Sequence, residues 1–328
     1  MSLPLEAVPN FSVSTAHDAD AVQAIDAALR RRVSVLDVHS DADHNRTVFT
    51  AVGVADALTD ALVDATRVAV ERIDLRDHGG VHPRIGAADV LPIVPLRESA
   101  HGEAHTVAHR VAERVAEELD LPVFLYGELC PETRRPEGVR PAHYRRGGLA
   151  ELGKRMESGE LRSDLGPAVP HPSAGATLVG VRMPLIAFNV ELDTTDLSVA
   201  QEIAREVRES TGGFSGVRAL GLQLESAGNV QVSMNIEDWR ASEPQQIVAA
   251  VVGLAARRGV NVIGSELVGL MPLGAALAAA RDALRLPDLT TDSLLELRLL
   301  EQTLVASDRQ PESVKSTSPP TDRGSEPS

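Results

Sequence analysis

Within "HGGVHPRIGAADV", residues 78–90, His82 is the side chain best suited to move a proton. An imidazole changes charge near neutral pH, so it can act as base and then as acid in one reaction cycle. Pro83 biases the backbone of His82 away from the α-helix. Gly79, Gly80 and Gly86 let the chain turn and let backbone N–H groups face a ligand. Arg84 adds a planar fork that fits a carboxylate. A hydrogen-bonded structural loop is the plainer reading of the same residues.

A second dense stretch is "DVHSDADHNRTVFT", residues 37–50. Its spacing is not that of a calcium loop, and the closing glutamate is absent. Zinc bound through His39 and His44 would lack a clear third ligand, and a solvated turn after a strand accounts for Asp41 and Asp43. Asn45, Arg46 and Thr47 form an amide, guanidinium and hydroxyl series that could grip a carboxylate. His101, His105 and His109 stand four apart on one expected helix face. "HGEAH" has the wrong order for a zinc protease, which needs the glutamate directly after the first histidine. With Glu103 and Glu113 nearby, these residues read as a wet polar face, and no metal is expected. "SDLGPAVPHPSAGATLVG", residues 163–180, is a rigid non-regular segment suited to lining a pocket or linking two blocks. No dinucleotide fingerprint, phosphate-binding Walker loop or hydrolase nucleophile elbow occurs.

These residues need a scaffold, and the composition allows one. Of 328 residues, 43% are hydrophobic and 24% charged, enough for a real core or two packed units. Aromatics are only 2%, so Val, Leu, Ile and Ala must fill that core. The net charge of −15 argues against nucleic acid as a partner, but one pocket can still be basic. A single cysteine, Cys130, rules out an internal disulfide. The opening "MSLPLEAVPNFS" is not a signal peptide, and no apolar run reaches the ~18 residues of a membrane helix. A cytoplasmic, soluble protein is expected.

Helix-like and strand-like segments alternate. Helices are expected over 21–32, capped by Asp18 or Asp20, and over 55–73 and 103–120; strands are expected over 33–40 and 122–127. "DVLPIVPL", 89–96, suits an edge or irregular strand because of Pro92 and Pro95. Residues 130–165 read as a long loop with one short helix near "LAELGKRM". From 178 to 270 the order is strand, helix, strand, strand, helix, strand, the split βαββαβ order of a ferredoxin-like unit. Two helices follow, over "PLGAALAAARDAL" and "LLELRLLEQTLV". The tail from about Ser307 is polar and Pro/Ser-rich, so disorder is expected.

Together, "VPNFS" (8–12), "LDV" and "NRTVFT" (36–50), "HPRIGAADVLP" (82–92), "PVFLYGE" (122–128), "LGP", "PSAGAT" and "LIAFNV" (165–190), "QVSMN" (231–235) and "GSELVGLMPL" (264–273) resemble the glutamate formimidoyltransferase family. The match covers about residues 5–305. The resemblance implies an α/β (α+β) fold of two α/β subdomains with mixed sheets packed face to face, the second ferredoxin-like. The divisions expected are 1–177, 178–306 and a tail at 307–328. It implies transfer of the formimino group of N-formimino-L-glutamate to tetrahydrofolate by a homodimer, in one-carbon metabolism and histidine degradation. His82 falls on the family's catalytic histidine. Asp164, Gly166, Pro167, His171, Ser173 and Gly175 fall in the part associated with folate. On this reading Arg46 and Arg84 hold substrate carboxylates. Asn10, Asn45, Asn189 and Asn235 hold amide edges, and His39, Asp41 and Asp43 position charge near His82. The animal enzymes carry an aspartate where His39 stands, so the acidic partner is expected to come from Asp41 or Asp43, or to be missing here. They also carry a cyclodeaminase domain, which here would be a separate protein. Rival readings are formyl transfer from N-formylglutamate, handling of 5-formyltetrahydrofolate, a noncatalytic folate binder, and a metal-binding protein built on residues 37–45 or 101–109.

Overall fold

The computed structural model describes residues 4–224 and 226–300. The larger sheet is built from β1 (Leu5–Ala7), β2 (Asn10–Phe11), β3 (Ser34–Asp41), β4 (Arg46–Gly53), β5 (Ala88–Val94), β6 (Val123–Gly127) and β7 (Thr177–Val181). β1 and β2 are two short pieces of one course, both lying between β4 and β5. β3 lies beyond β4, and β7 and β6 lie beyond β5. The sheet is mixed: β5, β7 and β6 are parallel and the remaining pairs antiparallel.

Helices α1 (Ala19–Arg30), α2 (Ala55–Arg72) and α3 (His101–Leu119) cover one face of this sheet. Asp18 caps α1 by accepting from the Ala21 amide at 2.9 Å, which satisfies an N-terminal donor the helix cannot pair itself. Alanines at 21, 28, 61, 65, 104 and 108 are buried under the helices, so a core poor in aromatics packs through close approach of small and branched side chains. Phe11 and Phe49 meet edge to face at 5.7 Å.

Two expectations change here. β5 is not an edge: it lies inside the sheet and all seven residues are buried. The Pro92 carbonyl accepts from Val8 at 3.2 Å. The missing Pro92 N–H would face the same side, where the break between β1 and β2 offers no regular ladder partner. The region 130–165 is also more ordered than a loop with one helix. It holds α4 (Pro141–Arg145) and α5 (Gly148–Glu157) plus two single turns of 3-10 helix. Tyr144, Leu152, Met156 and Leu161 bury against Val90, Phe124 and Leu178 on the sheet's second face. Five residues are too few for α4 to show a helical period, and Tyr144 alone marks its inward side.

The smaller sheet holds β8 (Ile186–Leu192), β9 (Val217–Leu224), β10 (Asn229–Ile236) and β11 (Val262–Val268), with α6 (Leu197–Val207) and α7 (Pro244–Arg257) as the connecting helices. Its order, β11-β8-β10-β9, is antiparallel throughout. This is the ferredoxin-like arrangement expected from the sequence. Ile186, Val190, Val230, Val232 and Met234 bury with α6 and α7. Alternation then points Asn189, Gln231 and Glu266 to the other face, where they meet β3 and the turn after it.

By internal contacts the chain divides into Met1–Ala275, which holds both sheets, and Ala276–Ser328. α8 (Leu273–Leu284) spans that division. The end of the last expected helix and the whole tail lie outside the described residues.

Candidate active site

Strand direction builds this site. β5 and β7 are parallel neighbours, so the loops entering them run side by side. Ala87 donates to Ala174 and Ala176 donates to Ile85, each at 2.9 Å, and Leu75 donates to Ser173 at 2.8 Å. At Gly175, φ is +73° and a Cβ would fall 2.1 Å from the Ile85 carbonyl oxygen. Glycine is needed there both for conformation and for the close approach. The 171–176 segment therefore backs the loop that carries His82.

The turn between β3 and β4 clamps the same loop from the other side. Asn45, at φ +42°, accepts from Ser14 N–H and donates to Gly79 O, each at 3.0 Å. Val81 donates to Asp43 O at 3.0 Å. Arg84 donates to His44 O at 2.7 Å, His82 O at 2.9 Å and Asn45 O at 3.2 Å, and lies 2.6 Å from His78 Nδ1. Its fork is thus used to tie the loop together. A cavity of about 270 Å³ opens here, lined by Leu75, His78, Gly80, His82, Arg84 and Leu149 among others.

His82 is half-buried, with Nε2 3.0 Å from Arg46 Nη1. A guanidinium only donates, so Nε2 must accept and the ring proton sits on Nδ1. Burial, then the charges of Arg46, Arg145, His44 and Arg84, hold the His82 pKa well below its ordinary value. Arg46 itself is lowered to about 9, first by burial and then by Arg145. Its Nε is buried without a hydrogen-bond partner, and it makes no ion pair with a carboxylate among the described residues. Arg145 does have one, at 2.5 Å from the buried Asp89 carboxylate. Asp89 also accepts from Ile85 N–H at 2.8 Å. On a chain of net charge −15, this pocket is cationic, which suits an anionic ligand.

The smaller sheet meets β3 and the turn after it. His39 Nε2 lies 3.1 Å from Glu266, whose other oxygen accepts from Asn189 at 2.8 Å. The hydrogen bond to Glu266 raises the His39 pKa against the effect of burial. His44 Nε2 lies 3.0 Å from the Gln231 amide, and burial lowers its pKa. Asp43 binds the Ser226 amide at 2.8 Å and its hydroxyl at 2.5 Å. Asp41 accepts from His44 N–H at 2.7 Å. The carboxylate paired with His39 is therefore Glu266. His39, Asp41 and Glu266 place ligand atoms within 4.8 Å of one another, so a third ligand exists that residues 37–45 alone do not offer.

Asn10 is buried and donates to Val8 O at 2.7 Å, leaving its Oδ1 without a partner. Asn235 is exposed on the same face of β10 as Gln231. Sequence reasoning missed Glu266, Gln231, Asp89 and Arg145. Alternation in β10 and β11 marks the first two as polar positions opposite a buried face; nothing local marks the pairing of Asp89 with Arg145.

Residues 4–182 match the family described as formiminotransferase domain, N-terminal subdomain, and residues 187–294 match formiminotransferase domain. The chain belongs to the formiminotransferase family. A Streptococcus pyogenes serotype M1 protein named glutamate formimidoyltransferase is 37% identical over 290 residues, covering 88% of this chain and 95% of its own. One of the same name from Thermoplasma acidophilum is 35% identical over 306 residues, covering 91% and 98%. A Rattus norvegicus formimidoyltransferase-cyclodeaminase is 36% identical over 290 residues, covering 85% of this chain and 52% of that longer protein.

In this formiminotransferase the segment 163–175 is held both by its neighbours and by bonds within itself. Asp164 accepts from Leu125 N–H at 2.7 Å and pairs with Arg134. Ser163 donates to the carbonyl of Pro167 at 2.8 Å, and Gly166 turns at φ +77°. His171 Nδ1 accepts from Ala174 N–H at 3.0 Å and from Ser173 N–H at 3.3 Å. No helix among the described residues is long and apolar enough to cross a membrane.

Proposed function

We propose that this transferase moves the formimino group of N-formimino-L-glutamate to N5 of tetrahydrofolate, giving L-glutamate and 5-formiminotetrahydrofolate. The observation that carries the reading is His82 Nε2 3.0 Å from Arg46, a guanidinium with no carboxylate partner among the described residues, beside an imidazole whose pKa burial holds low. Arg46 takes a carboxylate of the donor. Its N–H groups turn to that anion, and His82 Nε2 is released as a base. The folate N5 attacks the formimino carbon and a new C–N bond forms as His82 accepts the N5 proton. The tetrahedral carbon then breaks its bond to the glutamate nitrogen, which receives the same proton back. Holding both nitrogens beside one carbon supplies much of the acceleration.

Asn10, whose Oδ1 is unpartnered, and Asn235 hold amide edges of the substrates. Residues 164–175, backing the His82 loop, receive the folate through their exposed backbone. Arg84 and Asn45 serve the same site by fixing the loop. The working form is a cytoplasmic homodimer whose product passes to a separate cyclodeaminase.

The test mixes purified protein with tetrahydrofolate and either N-formiminoglutamate or N-formylglutamate, reading the folate product after acid conversion to the methenyl form. Turnover with the formimino donor that collapses in His82→Ala is expected. Turnover only with the formyl donor would move the reaction to formyl transfer, and folate binding without turnover would leave a binding protein.

A further inference from the structure

A second cluster of ligand-type side chains lies outside the His82 pocket. His101 opens α3 and His105 follows one turn later on the same face. Glu128 directly follows β6. Its Oε2 lies 3.3 Å from His101 Nδ1 and 2.9 Å from His105 Nε2. The three ligand atoms all lie within 4.8 Å of one another. Glu128 is anchored through its backbone, donating to Val181 O at 3.0 Å and accepting from Arg135 at 3.1 Å. His109, one turn further on, is not part of this group.

We propose that His101, His105 and Glu128 form a site for one divalent transition-metal cation, with zinc as the reference ion. Two imidazoles and one carboxylate are a known zinc donor set that leaves further positions for water. Ligands held at about 2.0–2.1 Å around a tetrahedral ion stand roughly 3.3 Å apart. The two nitrogen–oxygen separations already lie near that edge length, so binding needs small side-chain movements and no backbone change. Imidazole nitrogen also prefers zinc, nickel or copper to magnesium or calcium. Burial raises the Glu128 carboxyl, but the two imidazoles more than offset it, and the group is held below its ordinary range. The positive end of α3 opposes a cation, but by an amount small beside metal–imidazole bonding. A bound ion would pin the start of α3 to the end of β6.

The experiment titrates the chelator-treated, tag-free full chain with zinc chloride by calorimetry, and with cobalt(II) chloride by visible absorption. One saturable equivalent is expected. Removing a ligand in His105→Ala should weaken it at least about 100-fold, and Glu128→Gln about 10-fold. The His39→Ala variant should bind as the parent does, which separates this site from the cluster of His39, Asp41 and Glu266. Zinc should also shift the ring-proton resonances of His101 and His105, a readout independent of the variants' stability. No saturable equivalent, or one that survives His101→Ala with His105→Ala, would overturn the proposal.

Discussion

Two histidines, His82 in the cavity-lining loop and His39 on β3 against the smaller sheet, are treated oppositely by their surroundings. Around His82 stand Arg46, Arg84 and Arg145, with the nearest paired carboxylate, Asp89, taken by Arg145. Around His39 stand Glu266, Asp41 and Asp37. The pKa of one imidazole is pushed below its usual value and that of the other above it. The lesson is that residue type alone assigns no role: the neighbouring charges lower the pKa of one ring, as the proposed base requires, and raise that of the other, which contacts Glu266 across the two sheets.

The largest expected effect comes from removing the neutral ring. His82→Gln should lower kcat by about 10²–10⁴-fold while the circular dichroism spectrum stays that of the parent; steady-state assay with the formimino donor checks it. A parent-like kcat would erase the functional side of the comparison.

Arg46→Met comes next. Loss of a charged hydrogen-bonding partner for a carboxylate should raise KM for the donor roughly 10–100-fold. It also removes a cation beside His82, so the acid limb of the kcat/KM profile should move to higher pH. A KM change with an unmoved limb would mean that Arg46 does not set the charge state of His82.

A third effect is on stability. His82, His44 and His78 all have depressed folded-state values, His78 to about 4, with burial the first cause in each. Above pH 6.5 these rings are neutral in both folded and unfolded chains and contribute nothing. As pH falls below 6.5, the unfolded chain takes up protons that the folded chain refuses, so Tm should fall progressively toward pH 4. His39 works in the other direction: its contribution is full below 6.5 and is lost as pH rises through its elevated folded value. A Tm flat from pH 7 to 4.5 would contradict the balance drawn here.

The smallest effect belongs to the sheet-joining pair. Glu266→Gln should bring the His39 pKa down toward 6.5, seen by NMR, with a stability loss of at most about 1 kcal/mol because the pair is partly solvated. A loss of several kcal/mol would show that this contact, rather than the neighbouring Asp43–Ser226 and His44–Gln231 contacts, holds the two sheets together.

Much of this was legible along the chain. The ferredoxin-like block followed from period-two and helical spacing, and the loop that holds His82 from its Gly and Pro residues. Pro92 misled, because whether a missing N–H is tolerated depends on the neighbouring strand, here the break between β1 and β2. Tyr144 looked like a loop residue until the sheet face beneath it was known. Glu266 meets His39 across more than two hundred residues, and no local pattern encodes such a contact. The same is true of Glu128 beneath His101 and His105, where the helix spacing was visible and the third ligand was not.

The most direct test of the central claim is an NMR pH titration of the histidine rings in the free protein, with His82 and His39 assigned through His82→Gln and His39→Ala. The account predicts that His82 stays neutral well below pH 6.5 while His39 protonates above it. A His82 that titrates at or above 6.5, or a His39 below it, would contradict the claim that the arginines and Glu266 divide two like side chains into base and clamp.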